Sequence, residues 1–222
     1  MKFLNKSIYA ILILASFVVV NSTAQAVQYL PISRTIFANR QLPFEPHQGS
    51  GPFDTTLAMN IQYEPVKIIR ENLVQALKVN LHFFDGWEKN GEAHVTVITP
   101  PEYSNVIKKF VSIERMEQIA ADMGIQDSDI SILGIGKGAV SINSKAEETY
   151  FLIVQSRNLL RIRRQIYREY LANGGPENAW DPNHFFPHIT VGFSLRDLHE
   201  SDGVIKDVSH SLDRRFKLFL TN

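Results

Sequence analysis

The sequence predicts an α+β fold, because stretches with strand periodicity and stretches with helix periodicity follow one another without regular βαβ alternation. Between residues 54 and 63, apolar side chains alternate with polar ones, as in a half-buried strand. Apolar residues recur at helical spacing after Pro65 and after Ser156, two residues that suit the start of a helix. The composition is 44% hydrophobic and 21% charged, which is typical of one packed globular domain.

The first half of the expected domain contains two strands and two helices. The strand at 54–63 ends where Pro65 opens a helix with one apolar face. A polar turn then leads into the strand that carries His94. After a connection, Ser112 is placed to cap a short helix that ends at Gly124.

The second half is expected to contain the longest helix and most of the strands. Ser156 is placed to cap this helix, which runs to about Ala172. The glycine-rich stretch 134–138 predicts a tight turn between two strands. A weaker helical pattern covers 204–212. The expected strands of this half are 130–133, 139–142, 150–154, the strand that carries His188, and 216–220.

Residues 1–26 have the pattern of a secretory signal peptide. Lys2 and Lys6 give a positive start, and the apolar run that follows has 13 residues (8 to 20). Such a run is too short for a membrane span, which needs about 20 residues. Ala24-Gln25-Ala26 has the small-residue pattern of a cleavage site. We therefore expect a soluble protein that is exported to the periplasm or secreted, without a membrane span.

The rest of the chain is expected to form an irregular N-terminal extension over 27–54, where prolines and glycines are frequent, and one domain over 55–222. Without Lys2 and Lys6 the formal charge changes from zero to −2, so bulk electrostatics would not hold the protein on long nucleic acids. The sequence contains no cysteine, so the core rather than disulfides must stabilise the expected monomer.

Two copies of a four-residue pattern carry the main functional signal. They are His94-Val95-Thr96-Val97 and His188-Ile189-Thr190-Val191, and the second follows the first by 94 positions. On a strand, the histidine and threonine of each copy share one face and the apolar residues the other. If the two strands are neighbours, two imidazoles and two hydroxyls converge on one cleft. One imidazole can then act as base and the other as acid, and the hydroxyls can donate hydrogen bonds to phosphate oxygens.

These paired motifs resemble the 2H phosphoesterase superfamily, whose members carry two H-x-[ST]-x motifs with apolar x. The resemblance covers about 55–220, and Phe186-Pro187 before the second motif is a frequent context in that family. The phrase from Gly91 to Ile98 is similar to the Swiss Army Knife branch of the superfamily. The resemblance implies a bilobal α+β fold, in which two antiparallel sheet halves, flanked by helices, each contribute one motif strand.

The resemblance also implies a chemistry and a set of residues. It implies metal-independent hydrolysis of a phosphodiester, typically a 2′,3′-cyclic nucleotide or an RNA end, without a cofactor. Carried over by position, His94 and His188 become the acid/base pair, and Thr96 and Thr190 bind the phosphate. We favour His188 as the base and His94 as the acid that protonates the leaving oxygen.

Other residues near the motifs are candidates for further contacts with a substrate. The loop aromatics Trp180 and Phe185 are candidates for stacking on a nucleobase. Phe193 stands three positions after Thr190, so regular alternation would turn it away from the histidine face. Lys137 is a candidate for reaching a phosphate, although its glycine-rich stretch lacks the Lys-Ser/Thr pair of a nucleotide P-loop.

Metal binding is not expected. His184 and His188 are four residues apart, but Pro187 argues against a shared helix, and no Cys or carboxylate cluster completes a site. Arginines at positions 157, 161, 164 and 168 form a basic stripe that is typical of a solvated helix face and could otherwise meet an anionic ligand.

Two alternatives to an enzyme remain open at this stage. The protein could be a non-catalytic module whose cleft holds a phosphorylated ligand. It could also be an envelope interaction protein, in which His94 and His188 would be buried and far apart.

Overall fold

The computed structural model describes residues 26–51 and 53–222, so the expected signal peptide lies outside the described residues apart from its last position. The described residues form seven strands and six α-helices. The strands are β1 (Gln28–Ser33), β2 (Leu57–Gln62), β3 (Glu92–Ile98), β4 (Ser131–Ile142), β5 (Lys145–Gln155), β6 (His188–Phe193) and β7 (Phe216–Thr221). The helices are α1 (Tyr63–Leu77), α2 (Trp87–Asn90), α3 (Pro100–Asn105), α4 (Ile113–Asp122), α5 (Arg157–Ala172) and α6 (Val208–Ser211). Among the described residues, none of the helices has the length and apolar character needed to cross a membrane.

The main sheet has five strands in the order β2-β3-β6-β5-β4, and each neighbouring pair is antiparallel. The two motif strands, β3 and β6, lie side by side at its centre. A second sheet pairs β1 with β7 in parallel. The α+β class is thus confirmed, and each half of the main sheet contributes one motif strand to the junction.

The faces of the main sheet are covered differently. The apolar residues of the motif strands, such as Val95 and Ile189, belong to the larger core, together with residues of α1, α4 and α5. On the opposite face, Phe151 and Ile153 of β5 form a smaller cluster with Leu198 and Val204. Because side chains alternate along a strand, the histidines and threonines of both motifs lie on this second face.

The glycine-rich stretch does not form the expected turn. Residues 134–138 lie inside β4, which pairs with β5 along its length apart from a register shift between Ile132 and Gly134. A Cβ on Gly136 would stand 2.2 Å from the ring of Phe151, so glycine allows close packing here rather than a turn. The chain reverses instead at Asn143 and Ser144, whose φ angles are 51° and 63°. The expected strands at 130–133 and 139–142 are therefore one strand.

The N-terminal segment differs from the irregular extension expected over 27–54. Residues 28–33 form β1, whose ladder with β7 joins Gln28 to Phe216 and Ser33 to Thr221. Pro31 lies within this strand, which a proline tolerates because β1 is an edge strand. A pairing between segments so far apart in the sequence cannot be recognised from a local sequence pattern.

The predicted helix caps are confirmed. The hydroxyl of Ser112 accepts a hydrogen bond from the backbone of Arg115, and that of Ser156 accepts one from Leu159. The connection after Thr99 is itself a helix, α3, which opens with a reciprocal Thr99–Glu102 capping box.

Candidate active site

The two motifs meet where β3 pairs with β6. Val95 is the register partner of Ile189. One step to either side in this antiparallel ladder, His94 faces Thr190 across the strands, and Thr96 faces His188. All four side chains therefore lie on one face, with the histidines on a diagonal of roughly 7–8 Å. Both histidines are partly exposed, an arrangement that does not fit the interaction-protein alternative.

Two hydrogen bonds determine the tautomer of His188. Its Nδ1 lies 2.8 Å from the carbonyl oxygen of Phe186, which can only accept, so Nδ1 carries the proton. Its Nε2 lies 3.1 Å from the Nζ of Lys206, whose ammonium can only donate. The Nε2 therefore presents a lone pair. Burial and then the charge of Lys206 lower the pKa of His188, against the opposing effect of Asp197.

Asp197 is the centre of a buried polar cluster beneath the second motif. The Lys206 Nζ donates to both carboxylate oxygens at 2.9 Å, and the two side chains are 3% and 4% exposed. The hydroxyls of Thr149 and Thr190 donate to the same carboxylate at 2.6 and 3.0 Å. Burial opposes ionisation of Asp197, but the neighbouring charge of Lys206 and the Thr149 hydrogen bond keep its pKa below the ordinary value.

In this cluster the hydroxyl of Thr190 has a partner other than a phosphate. The sequence predicts that its hydroxyl binds phosphate, whereas in the structure that hydroxyl donates to Asp197. Thr96, its counterpart in the first motif, is half-buried on the same face. Phosphate binding by either threonine stays a prediction, and for Thr190 it requires a change of hydrogen-bond partner.

His94 lies between an aromatic ring and a third histidine. The ring centroids of Phe84 and His47 are each 5.9 Å from that of His94. Asn60, the β2 partner of His94, shares a 2.7 Å hydrogen bond with the Nε2 of His47 and donates to the carbonyl of Pro43. The N-terminal segment is thereby attached to the site. Burial first, and then the charges of His47 and Lys206, lower the pKa of His94 to about 3, while Asp197 opposes them.

Phe193 lies on the histidine face, contrary to the prediction from alternation. Thr190 pairs with Phe151, and Phe193 pairs with Thr149, so three steps on β6 match two steps on β5. This β-bulge adds one residue to β6 and reverses the alternation beyond it. The ring of Phe193 contacts Phe84, with centroids 5.4 Å apart.

Trp180 and Phe185, the predicted stacking residues, pack elsewhere. Trp180 is 7% exposed, and its Nε1 donates to Glu102 at 2.9 Å. The guanidinium of Arg163 lies 5.3 Å from the Trp180 ring centroid and 4.8 Å from that of Phe185. Both rings thus cover a buried arginine, a contact that sequence proximity to the motif does not reveal, and a base-stacking role for either ring stays a prediction.

The other sequence candidates also have structural partners. Lys137 pairs with Glu148 and stands opposite Tyr150 in the ladder, on the helix-covered face of the sheet. His184 pairs with Glu200 at 2.7 Å. Within the described ranges no group of His, Cys, Asp and Glu side chains could hold a metal ion. The arginines of the basic stripe on α5 are exposed.

Sequence reasoning missed Asp197, Lys206, Thr149 and His47. A lysine directly after the apolar pair Val204-Ile205 is a weak sign of a buried charge, and nothing local marks the other three.

Comparison with known proteins identifies the family. A family model described as the Swiss Army Knife, 2H phosphoesterase domain matches residues 55–199, well over half of the chain. The comparisons with curated proteins and with solved structures gave no match. The matched segment contains both H-x-T-x motifs and Asp197, whereas His47 and Lys206 lie outside it. The chain therefore belongs to the Swiss Army Knife branch of the 2H phosphoesterases.

Proposed function

We propose that this protein is a metal-independent phosphodiesterase that hydrolyses a cyclic nucleotide or RNA-end phosphodiester with His94 and His188 as its acid/base pair. Membership in the 2H phosphoesterases supports phosphodiester hydrolysis as the class of reaction. The observation that carries the proposal is the pairing of β3 with β6, which brings both motifs to one face at the centre of the sheet.

The geometry supports distinct roles for the two histidines. His188 presents its Nε2 lone pair and takes a proton from a water molecule, whose oxygen attacks phosphorus. As the new P–O bond forms, the bond to the ribose oxygen breaks, and His94 donates a proton to that oxygen. Burial disfavours the charged form of His94, whereas an anionic phosphodiester in the cleft favours that form, which supports His94 as the proton donor to the leaving oxygen.

An aromatic cavity beside His94 supports a nucleoside as part of the substrate. The cavity has a volume of about 880 Å³, and its lining includes Phe84, Phe193 and Lys89. Phe84 also contacts the His94 ring, so a base in this cavity would lie next to the reacting phosphate. Stacking of one base on an aromatic side chain contributes roughly 1–3 kcal/mol, which is enough to select nucleotides.

One observation favours a non-catalytic phosphate-binding module as the second candidate. The Nε2 lone pair that a general base requires already accepts a hydrogen bond from Lys206. Calorimetry with cyclic nucleotides, run beside a turnover assay, separates the two functions: binding without product would favour the module.

The decisive experiment is a panel of 2′,3′-cyclic, 3′,5′-cyclic and 2′,5′-linked substrates assayed in EDTA. We expect turnover by the wild-type protein and a loss of roughly 10²–10⁴-fold in His94→Ala and His188→Ala, because each removes one proton-transfer group. His210→Ala is the matched control, since His210 is exposed on α6 and pairs with Asp207. Wild-type rates in both motif variants would refute the proposal.

We also infer that the activity is exported, to the periplasm or the medium, and that the protein is a monomer. The inference of export is supported by the charged start, apolar run and cleavage pattern of residues 1–26.

A further inference from the structure

We propose that Lys206, anchored by Asp197, is a positioning residue that fixes the tautomer and orientation of His188 and so assigns the general base of the reaction to His188. This inference rests on the proposed function, because it concerns the same site. It adds two residues to the H-x-T-x pair, and one of them, Lys206, lies outside the segment that the family model matches.

The hydrogen bonds of the His188 ring carry the inference. The carbonyl of Phe186 requires a proton on Nδ1, and the ammonium of Lys206 requires a lone pair on Nε2. Each contact alone selects the same neutral tautomer. Without Lys206, the ring would lose one of these two hydrogen bonds and would rotate more easily about its Cβ–Cγ bond.

Lys206 is itself held in place from several sides. Both carboxylate oxygens of Asp197 lie 2.9 Å from its Nζ, and the ring centroid of Phe151 lies 5.2 Å away. The Phe151 ring also contacts the His188 ring, with centroids 5.7 Å apart. The ammonium has three hydrogens, so it can release Nε2 to an incoming water molecule and keep its ion pair with Asp197.

The burial of the Asp197–Lys206 ion pair indicates a role in the site rather than in the stability of the fold. Moving two charges out of water carries a large free-energy cost, and apolar residues often replace such pairs without loss of stability. Asp197 and Lys206 are 4% and 3% exposed. Since the pair contacts a motif histidine and a motif threonine directly, control of the site accounts for it better than fold stability does.

The charges around His188 favour its neutral form, which a general base requires. Among titratable groups, Lys206, Asp197 and His199 have the largest effects on it, and the Lys206 charge outweighs the opposing carboxylate. A neighbouring positive charge disfavours the imidazolium form, so His188 stays neutral and able to accept a proton across the physiological range. The Lys206 charge also acts on His94, which places it within electrostatic reach of both histidines.

The test follows the His188 ring by ¹⁵N NMR through a pH titration in the wild-type protein, Lys206→Met and Lys206→Arg. In the wild type we expect the neutral tautomer with the proton on Nδ1. In Lys206→Met the ring pKa should rise by roughly one to three pH units, and the acid limb of kcat/KM should move to higher pH by the same amount. Lys206→Arg should keep the wild-type profile. Lys137→Met is the matched control, since it removes another paired lysine on the opposite face of the sheet.

Each outcome bears on the inference. A wild-type ring protonated on Nε2 would overturn it, and so would an unchanged His188 pKa in folded Lys206→Met. If Lys206→Met does not fold, the double variant Lys206→Met/Asp197→Asn leaves no charge unpaired, and it should still show the raised pKa. The ring measurements need no substrate. Failure of the wild-type protein to turn over any substrate would therefore count against the proposed function alone.

Discussion

Arg163 ties the two motif regions together, and its replacement by methionine should both destabilise the protein and lower its activity. The side chain is 1% exposed, and its guanidinium donates at 2.6 Å to the carbonyl of Val97, the last residue of the first motif. It also donates to the carbonyls of Pro182 and His184 at 2.9 and 3.1 Å, in the loop that leads to the second motif. Glu102 completes the set with contacts of 2.7 and 3.1 Å.

The expected loss of unfolding free energy follows from the hydrogen-bond acceptors that the substitution leaves without a donor. Methionine fills a similar volume, but three backbone carbonyls and the Glu102 carboxylate lose a donor, and breaking a buried ion pair costs about 3–5 kcal/mol. For a protein of this size, each kcal/mol lowers Tm by about 2–4 °C, so Tm should fall by about 6–20 °C. The rate on the best substrate of the panel should fall as well, because the loop before His188 loses the hydrogen bonds that Arg163 donates to it.

Urea denaturation and a thermal melt measure the effect, with turnover assayed well below the new Tm. Arg164→Met is the matched control, since that neighbour is exposed and its guanidinium contacts the Asn183 side chain at 2.9 and 2.7 Å. The control should stay within about 0.5 kcal/mol of the wild type. A free energy of unfolding for Arg163→Met within about 1 kcal/mol of the wild-type value would refute this reasoning.

Two further predictions concern the substrate and the compartment. Phe84→Leu should raise KM for a cyclic nucleotide by about 5- to 150-fold, as expected for the loss of 1–3 kcal/mol of stacking. The same substitution should leave the KM for a cyclic phosphate that lacks a base near the wild-type value, and an equal rise in KM for both substrates would contradict a base-binding cavity. The control is Phe110→Leu, because Phe110 packs against Tyr170. Mass spectrometry of protein collected outside the cytoplasm should give a chain that begins at Val27. A chain in that fraction that still begins at Met1 would contradict cleavage at this site.

The parts of the site that repeat a short local pattern could be predicted from the sequence. His94 and His188 were identifiable because alternation along a strand is a local property, and the doubled motif implied that two such strands meet. The prediction for Phe193 followed the same rule and was wrong, since a bulge between Thr190 and Phe193 shifts the alternation by one residue. A bulge depends on the neighbouring strand, and the sequence of β6 alone does not show it.

The parts that depend on distant partners could not be predicted. Asp197 and Lys206 acquire their role only when the segment after β6 folds back over β5, where Leu198 and Val204 pack against Phe151. The glycines of β4 were assigned to a turn because turn propensity is local, whereas the close approach of Phe151 to Gly136 is tertiary. The contact of Trp180 with the buried Arg163 could not be predicted either, because that arginine lies on another element.

The parallel ladder between β1 and β7 has a consequence for the order of folding. Its register partners Gln28 and Phe216 are 188 positions apart. Closing a loop of that length costs about 4–5 kcal/mol of chain entropy by the logarithmic scaling, whereas the β4–β5 hairpin closes around two residues. Contacts of high sequence separation form late, so this ladder should form after the main sheet. During synthesis from the N-terminus, β1 is therefore made long before its partner strand β7 and stays unpaired until β7 has been made. The pairing of β1 with β7 should then be among the last steps of folding.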